Sequence, residues 1–184
     1  HILGAASVKI EWKEENQSKS VIFSGDIGQE KRVITSKIDF WDKANYLFVE
    51  STYGDRLHEK LEISISDFKE KILQTLKNHG TVIIPSFALE RTQEILYILR
   101  QMSLDGLLKN IPVYLDAPLA IRITETFLDF PTLFNDDVKN IMQEGANPFS
   151  FNELVQTPNK DQSLLINENH DPKIIIAGSG MCEG

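Results

Sequence analysis

The sequence contains a single cysteine, Cys182, among 184 residues. One cysteine cannot form an intramolecular disulfide, which is typical of proteins in a reducing compartment, and we expect a cytoplasmic location. No apolar run approaches the roughly 20 residues that span a bilayer, so we expect no membrane contact. The sequence lacks an initiator methionine and stops within a glycine-rich stretch, which indicates a piece of a longer protein.

Arginine is also scarce, and the net charge is −8. Because phosphate binding relies on lysine and arginine, this charge argues against a protein that binds nucleic acid with its whole surface. It leaves room for a local basic cleft. The position of each arginine therefore matters more than their number; they are Arg32, Arg56, Arg91, Arg100 and Arg122.

The first third of the chain is predicted to be rich in β-structure. Residues 7–24 predict a β-hairpin, because polar and apolar residues alternate on both sides of a polar turn. Residues 31–45 predict irregular structure, and residues 46–50 predict a buried strand. Near residue 58 the pattern changes to alternating helices and strands, which indicates βαβ units, a parallel sheet and a domain boundary near residue 57.

The α/β part has helical patterns over residues 64–78, 88–102, 118–128 and 135–143. Strands are predicted at residues 81–84, 111–115 and 173–177. Their continuous apolar character predicts a sheet that is covered on both faces.

Ligands of open parallel sheets bind beyond the carboxyl ends of the strands. The three strands end in residues 85–87, 116–118 and 178–180. Ser86 is predicted to cap the next helix, and Arg91 could reach an anion held there. Gly178, Ser179 and Gly180 could form an anion nest from backbone amides. Three residues near these strand ends also have a purely structural interpretation: a cap for Ser86, a turn residue for Asp116, and a surface ion pair with Glu90 or Glu94 for Arg91.

Three charged or imidazole groups lie at strand ends or loops: His1, Asp26 and Glu50. An apolar strand that ends in a charged residue often presents it for chemistry, because burial of the charge is unfavourable. Imidazole and carboxylate are ligands that Zn²⁺ accepts, but two ligands are too few for a site. The remaining histidines, His58, His79 and His170, are predicted to be surface residues.

Several segments resemble, in order, motifs of the metallo-β-lactamase-fold nucleases that carry a β-CASP domain. They are residues 1–7 (HILGAAS), 23–28 (FSGDIG), 50–54 (ESTYG), 85–88 (PSFA) with Arg91, Gln93 and Glu94, 114–120 (YLDAPLA) and 177–181 (AGSGM). The resemblance runs from the first residue to the last and is weakest over residues 130–170. The family includes the nuclease subunit of the pre-mRNA cleavage machinery and ribonuclease J.

The resemblance implies an α/β protein in two parts. Residues 1–57 would be the C-terminal part of a metallo-β-lactamase domain. Residues 58–184 would be a Rossmann-like, parallel-sheet β-CASP domain, truncated at its C-terminal end.

The resemblance also implies a role for individual residues. His1 would ligate one zinc, and Asp26 would bridge two zinc ions and act in catalysis. Glu50 would support a histidine at the metal centre, which places it among the catalytic residues. Ser86, Arg91, Ser179 and Gly180 would contact RNA.

This sequence departs from the family pattern at two places. The His-x-His-x-Asp-His metal motif and the later β-CASP histidine motifs are not in it. We therefore expect the fragment alone to be inactive, with zinc binding by the fragment left open, and we expect residues 1–57 to be poorly ordered or repacked.

The resemblance predicts that the full-length protein is a zinc-dependent hydrolase of single-stranded RNA, with a homodimer left open. One alternative is a non-catalytic β-CASP paralogue that acts as a partner in an RNA-processing complex. A second is a Rossmann-like module that binds a nucleotide, although no Gly-x-Gly-x-x-Gly follows any strand.

Overall fold

A computed structural model describes residues 1–178 of the chain. Within these residues the fold consists of a small three-stranded sheet, a four-stranded sheet and five α-helices. None of the helices in this part of the chain is long and apolar enough to cross a membrane.

The small sheet contains the predicted hairpin. Strands β1 (Val8–Glu14) and β2 (Gln17–Phe23) are antiparallel, and β3 (Tyr46–Phe48) pairs with β2 in parallel. The two residues between β1 and β2, Glu15 and Asn16, both have positive φ. A two-residue turn of this kind matches the twist of the flanking strands, so the hairpin prediction is confirmed.

The second sheet is entirely parallel, in the order β4-β7-β5-β6. Helices connect its strands, so the predicted α/β class is confirmed. In chain order the elements are α1 (Leu61–Lys77), β4 (Thr81–Pro85), α2 (Arg91–Leu104), β5 (Val113–Asp116), α3 (Pro118–Phe127), a 3-10 turn (Pro131–Leu133), α4 (Asp136–Gln143), β6 (Leu154–Gln156), α5 (Lys160–Glu168) and β7 (Lys173–Ala177).

The local sequence explains several helix ends. Asn135 and Asn159 cap α4 and α5 by accepting hydrogen bonds from the amides of Val138 and Gln162, both at 3.1 Å. Pro118 occupies the first turn of α3, where a missing N–H costs nothing. These caps fix where the helices begin.

The core lies between the parallel sheet and its helices. Helix α2 contributes fully buried apolar side chains, as its pattern predicts. The central strands β5 and β7 contribute further buried apolar side chains. Three aromatic rings pack against one another beside these strands. The fully buried members on these elements include Leu96, Leu99, Met102, Val113, Leu115, Ile174, Ile176, Phe127, Phe134 and Phe149.

A segment before residue 57 also belongs to this core. Ile34 is 0% exposed and lies in the same cluster of side chains. Its carbonyl accepts a hydrogen bond from the amide of Asn135 at 2.9 Å, and Thr35 forms an isolated bridge with Phe134. The boundary near residue 57 stays a prediction, but residues 33–36 pack with the α/β part.

Some expectations about individual elements were wrong. Strand β3 is exposed rather than buried, with Leu47 61% exposed, because little packs on either face of it in the described residues. The edge strand β4 exposes Ile83, so the parallel sheet is not covered along its whole width. Helix α1 begins at Leu61, three residues before the start that the pattern predicted.

Strand β6 and helix α5 were not predicted. Both lie in the stretch where the resemblance is weakest. Each is short, and β6 has only three residues, which is too few for a recognisable pattern.

Candidate active site

His1 and Asp26 line the same cavity, which has a volume of about 720 Å³. Both residues are exposed. His1 opens the segment that leads into β1, and Asp26 lies in the loop that leaves β2. Because β1 and β2 form a hairpin, the start of one strand lies beside the end of the other, and the segments before β1 and after β2 line the same cavity.

Glycines bring the Asp26 loop close to the His1 segment. Gly25 has φ +57, and a Cβ at this position would lie 2.7 Å from the carbonyl oxygen of Ala6. Gly28 has φ +77, and a Cβ there would lie 2.9 Å from the Cα of His1. A residue with a side chain could not allow this approach without a shift of the backbone.

Arg32 holds the two segments together from the other side. Its guanidinium donates hydrogen bonds to the carbonyl oxygen of His1 at 2.6 Å and to that of Ile27 at 2.7 Å. The backbone nitrogen of His1 also donates to the carbonyl oxygen of Ile27, at 2.8 Å. The position of His1 relative to the Asp26 loop is therefore fixed through backbone atoms.

Glu50 supports the same loop. Its carboxylate accepts hydrogen bonds from the amides of Thr52 at 3.1 Å and Ile27 at 3.2 Å. These bonds, with those from Thr52 the strongest, lower the pKa of Glu50 below its ordinary value. Glu50 and Asp26 also line a second cavity, of about 360 Å³. The expected support of a histidine by Glu50 stays a prediction, since the partners of its carboxylate among residues 1–178 are Thr52 and the amides of Ile27 and Gly28.

The three predicted strand-end loops do lie on one edge of the parallel sheet. The amide of Ser86 donates to the carbonyl oxygen of Ala177 at 2.9 Å. A Cβ on Gly178 would lie 3.8 Å from the Cβ of Ala117. The loops after β4, β5 and β7 therefore meet, as expected for adjacent parallel strands. Ser179 and Gly180, which were expected to contact RNA there, lie outside the described residues.

The expectation that Ser86 caps helix α2 was wrong. The helix begins five residues later, at Arg91, with no side-chain cap. Ser86 is 2% exposed, and its hydroxyl accepts a hydrogen bond from that of Thr92 at 3.1 Å. A contact between Ser86 and RNA stays a prediction.

Arg91 lies on the surface and pairs with Glu94, with 2.6 Å between guanidinium nitrogen and carboxylate oxygen. This is the structural interpretation that the sequence left open. The Arg91 side chain is 68% exposed and that of Glu94 is 12% exposed. Burial is the main cause of a raised pKa at Glu94, and Arg91 only partly opposes it. Arg91 remains accessible to an anionic ligand.

Two residues near the cavity were not singled out from the sequence, Arg32 and Glu90. Glu90 is buried and lies directly before helix α2. An acidic residue at a helix start normally indicates only a favourable interaction with the helix dipole. Nothing in the local sequence signals that its carboxylate reaches a segment near His1.

The donors that are present do not make up a metal site by themselves. His1 and Asp26 are ligands of the type that Zn²⁺ accepts, and zinc sites in proteins use at least three protein ligands. Among residues 1–178, no group of three or more His, Cys, Asp or Glu side chains is placed to hold a metal ion. His58, His79 and His170 are exposed, as predicted, and take no part in such a group.

The fold and the cavity together define an α/β protein in which an imidazole and a carboxylate lie beside a parallel sheet. The family model described as the Beta-Casp domain matches residues 92–184. This is half of the chain, and the chain therefore belongs to the Beta-Casp domain family. The assignment of residues 1–57 to a metallo-β-lactamase domain stays a prediction.

Relatives match the whole chain. It is 32% identical to "Ribonuclease TTHA0252" of Thermus thermophilus, of which it covers 41%. It is 34% identical to "RNase J-like protein" of Methanocaldococcus jannaschii, covering 42% of that protein. It is 29% identical to "Endoribonuclease ysh1" of Schizosaccharomyces pombe, covering 23%. The chain thus spans about two fifths or less of the length of these relatives.

Proposed function

We propose that the protein containing this chain is a metal-dependent hydrolase of RNA phosphodiester bonds. The observation that carries the proposal is the shared cavity of His1 and Asp26 in a Beta-Casp family chain. The names of the relatives, which include a ribonuclease and an endoribonuclease, support the same reaction.

We further propose that the metal is zinc, as two ions, and that His1 and Asp26 would be among the residues that hold it. Ribonucleases that combine metallo-β-lactamase and β-CASP domains are generally metal-dependent. His1 and Asp26 are too few to hold an ion, so the remaining ligands would come from outside residues 1–178. Bound zinc would supply an activated water and would stabilise negative charge on the phosphate.

Residues 1–178 do not form a complete metal site by themselves. Their contribution is to hold the imidazole of His1 and the carboxylate of Asp26 in position. Arg32 fixes the backbone of His1 against that of Ile27, and Glu50 fixes the amide of Ile27 from the other side. Together they would keep the imidazole and the carboxylate in a constant relation while a substrate binds. Such fixed geometry is what catalytic groups require.

The substrate would be single-stranded RNA that runs over the strand-end edge of the parallel sheet. Arg91 and Arg122 are exposed cations near the starts of the helices that follow β4 and β5, and Gly178 directly follows strand β7. Because the net charge is −8, RNA would bind to such local groups rather than to the whole surface. We further propose that the protein is cytoplasmic and that it forms a homodimer.

The test uses the full-length protein with end-labelled and internally labelled RNA, with and without a chelator. We expect cleavage that the chelator abolishes. Asp26→Ala should lower cleavage by about a hundredfold or more, because the loss of about 2.7 kcal/mol of transition-state stabilisation lowers a rate by that factor. Asp42→Ala, an exposed aspartate outside the cavity, is the matched control and should cleave as the wild type does.

The same experiment decides against the proposal if Asp26→Ala keeps full activity at equal metal content. An inactive wild type that carries no metal would instead favour a non-catalytic partner in an RNA-processing complex.

A further inference from the structure

Glu90 connects helix α2 to the segment that carries His1. The residue is 4% exposed. One carboxylate oxygen accepts a hydrogen bond from the amide of Leu3 at 3.0 Å, and the other accepts one from the hydroxyl of Thr35 at 3.4 Å. Leu3 lies two residues after His1 and 87 positions before Glu90, so this contact joins distant parts of the chain.

The backbone at Glu90 is strained. Its φ is +68 and its ψ is −57, and the amide of Arg91 donates to the carbonyl oxygen of Leu89 at 2.9 Å. These values describe a γ-turn with positive φ at the central residue, which is the rare and strained form. Strained residues of this kind cluster at functional sites.

Burial of the Glu90 carboxylate is a second unfavourable feature, beside the strained backbone. Burial is the main cause of a raised pKa at Glu90, and the Leu3 amide, Arg32 and Thr35 only partly oppose it. A glycine at position 90 would relieve the turn and remove the buried charge. Stability of the turn therefore does not explain a glutamate here, whereas the contact with Leu3 and Thr35 does.

The contact continues to the cavity through Arg32. The guanidinium of Arg32 lies 3.5 Å from the hydroxyl of Thr35 and donates to the carbonyl oxygens of His1 and Ile27. Glu90 is thus linked through two routes, Leu3 and Thr35, to the backbone of His1. On the other side of the turn, the Arg91 side chain is exposed and pairs with Glu94.

We propose that Glu90 is a positioning residue that holds His1 in place relative to Asp26 and couples this placement to the start of helix α2. The inference rests on the proposed function, since it assigns Glu90 a part in that cleavage reaction. It acts through the amide of Leu3 and through Thr35 and does not touch the reacting atoms.

The experiment compares Glu90→Gly and Glu90→Gln in the full-length protein. The glycine variant removes the acceptor and relieves the γ-turn, whereas glutamine keeps an oxygen that can accept from Leu3. Asn110→Gly is the matched control, because Asn110 is exposed and also has positive φ, at +65. Four quantities are measured: hydrogen exchange of the Leu3 amide, kcat for RNA, KM for RNA and the urea midpoint.

We expect Glu90→Gly to raise the exchange rate of the Leu3 amide about tenfold or more, since a hydrogen bond to a charged group is lost. Its kcat should fall about tenfold with KM little changed, while the urea midpoint stays at or above that of the wild type. Glu90→Gln should recover most of both losses. Asn110→Gly should leave exchange at Leu3 and kcat unchanged.

Unchanged exchange at Leu3 in Glu90→Gly would overturn the inference. So would a fall in kcat that only follows a loss of folded protein, or a glutamine variant as impaired as the glycine variant. If the wild type cleaves no RNA, the proposed function fails. The link between helix α2 and the His1 segment is then still decided by the exchange rates of the two Glu90 variants.

Discussion

Thr157 donates its hydroxyl hydrogen to the carboxylate of Asp116, with 2.8 Å between the oxygens. The second carboxylate oxygen accepts from the hydroxyl of Ser163, also at 2.8 Å. Asp116 therefore ties the end of β5 to the residue after β6 and to helix α5. Both of its oxygens are engaged within the protein, which supports the structural interpretation of this strand-end residue.

Thr157→Val should destabilise the protein by about 1.5–3 kcal/mol. The substitution removes a hydrogen bond to a charged group and leaves part of the Asp116 carboxylate without its partner. Urea denaturation of the full-length protein measures the change. Thr126→Val is the control, because Thr126 is exposed and bonds only within its own helix; it should change stability by less than about 0.5 kcal/mol. Equal effects of the two would refute the role of Asp116.

Ile34→Ala should lower the free energy of unfolding by about 2–5 kcal/mol, as expected when a fully buried isoleucine is truncated. The control is Ile63→Ala, since Ile63 is exposed on helix α1, and its effect should stay within about 0.5 kcal/mol. The measurement is a urea transition followed by a probe in the α/β part. If Ile34→Ala leaves that transition unchanged, residues 33–36 are not part of its core.

Much of the α/β fold is predictable because its signals are local. Strands β4 and β7 are apolar runs between helical patterns, and their ends fall within a residue of the predicted positions. Helix α2 shows its buried stripe in the spacing of Leu96, Leu99 and Met102. Neither prediction requires knowledge of what lies across the fold.

Burial on β3 and membership of Ile34 in the core depend on distant partners, so local patterns do not determine them. The exposure of the Leu47 side chain depends on what packs against the small sheet. The burial of Ile34 depends on Phe134 and Asn135, about 100 residues later.

The candidate site likewise contains residues that local sequence patterns predict and residues that they do not. His1 and Asp26 are predictable, since a hairpin brings its two ends together whatever else the chain does. Glu90 is not, because its role arises from a long-range bond to the amide of Leu3. The start of helix α2 was also misplaced, because the γ-turn at Glu90 delays the first helical residue to Arg91.

Glu94 predicts a measurable pH dependence of stability. Burial raises its pKa in the folded protein, so the folded state holds this proton more tightly than the unfolded state does. The stabilising contribution of neutral Glu94 is therefore present at low pH. It is lost as the pH rises from about 4.3, the ordinary glutamate value, through the raised folded value.

Glu94→Gln mimics the neutral side chain and should be more stable than the wild type above that range and equal to it below. Urea midpoints from pH 4 to pH 8 measure the difference. Glu125→Gln, at an exposed position of helix α3, should run parallel to the wild type. A glutamine variant that loses stability at neutral pH would show that the ion pair with Arg91 outweighs the cost of burial.

Gly25→Ala tests whether the Asp26 loop must approach the His1 segment closely. The alanine Cβ would lie 2.7 Å from the carbonyl oxygen of Ala6, and the residue would have φ +57. Left-handed backbone costs about 1–2 kcal/mol for a non-glycine residue, and a steric overlap adds about 1–3 kcal/mol. We expect the sum of the two as a loss of stability, together with lower RNA cleavage.

Gly106→Ala is the matched control for the backbone cost alone. Gly106 has φ +74, but a Cβ there would have no atom within 4 Å. Its loss should be only the backbone part, about 1–2 kcal/mol, with cleavage unchanged. The difference between the two variants isolates the contact with Ala6, and its absence would mean that the loop carrying Asp26 is free to move away from His1.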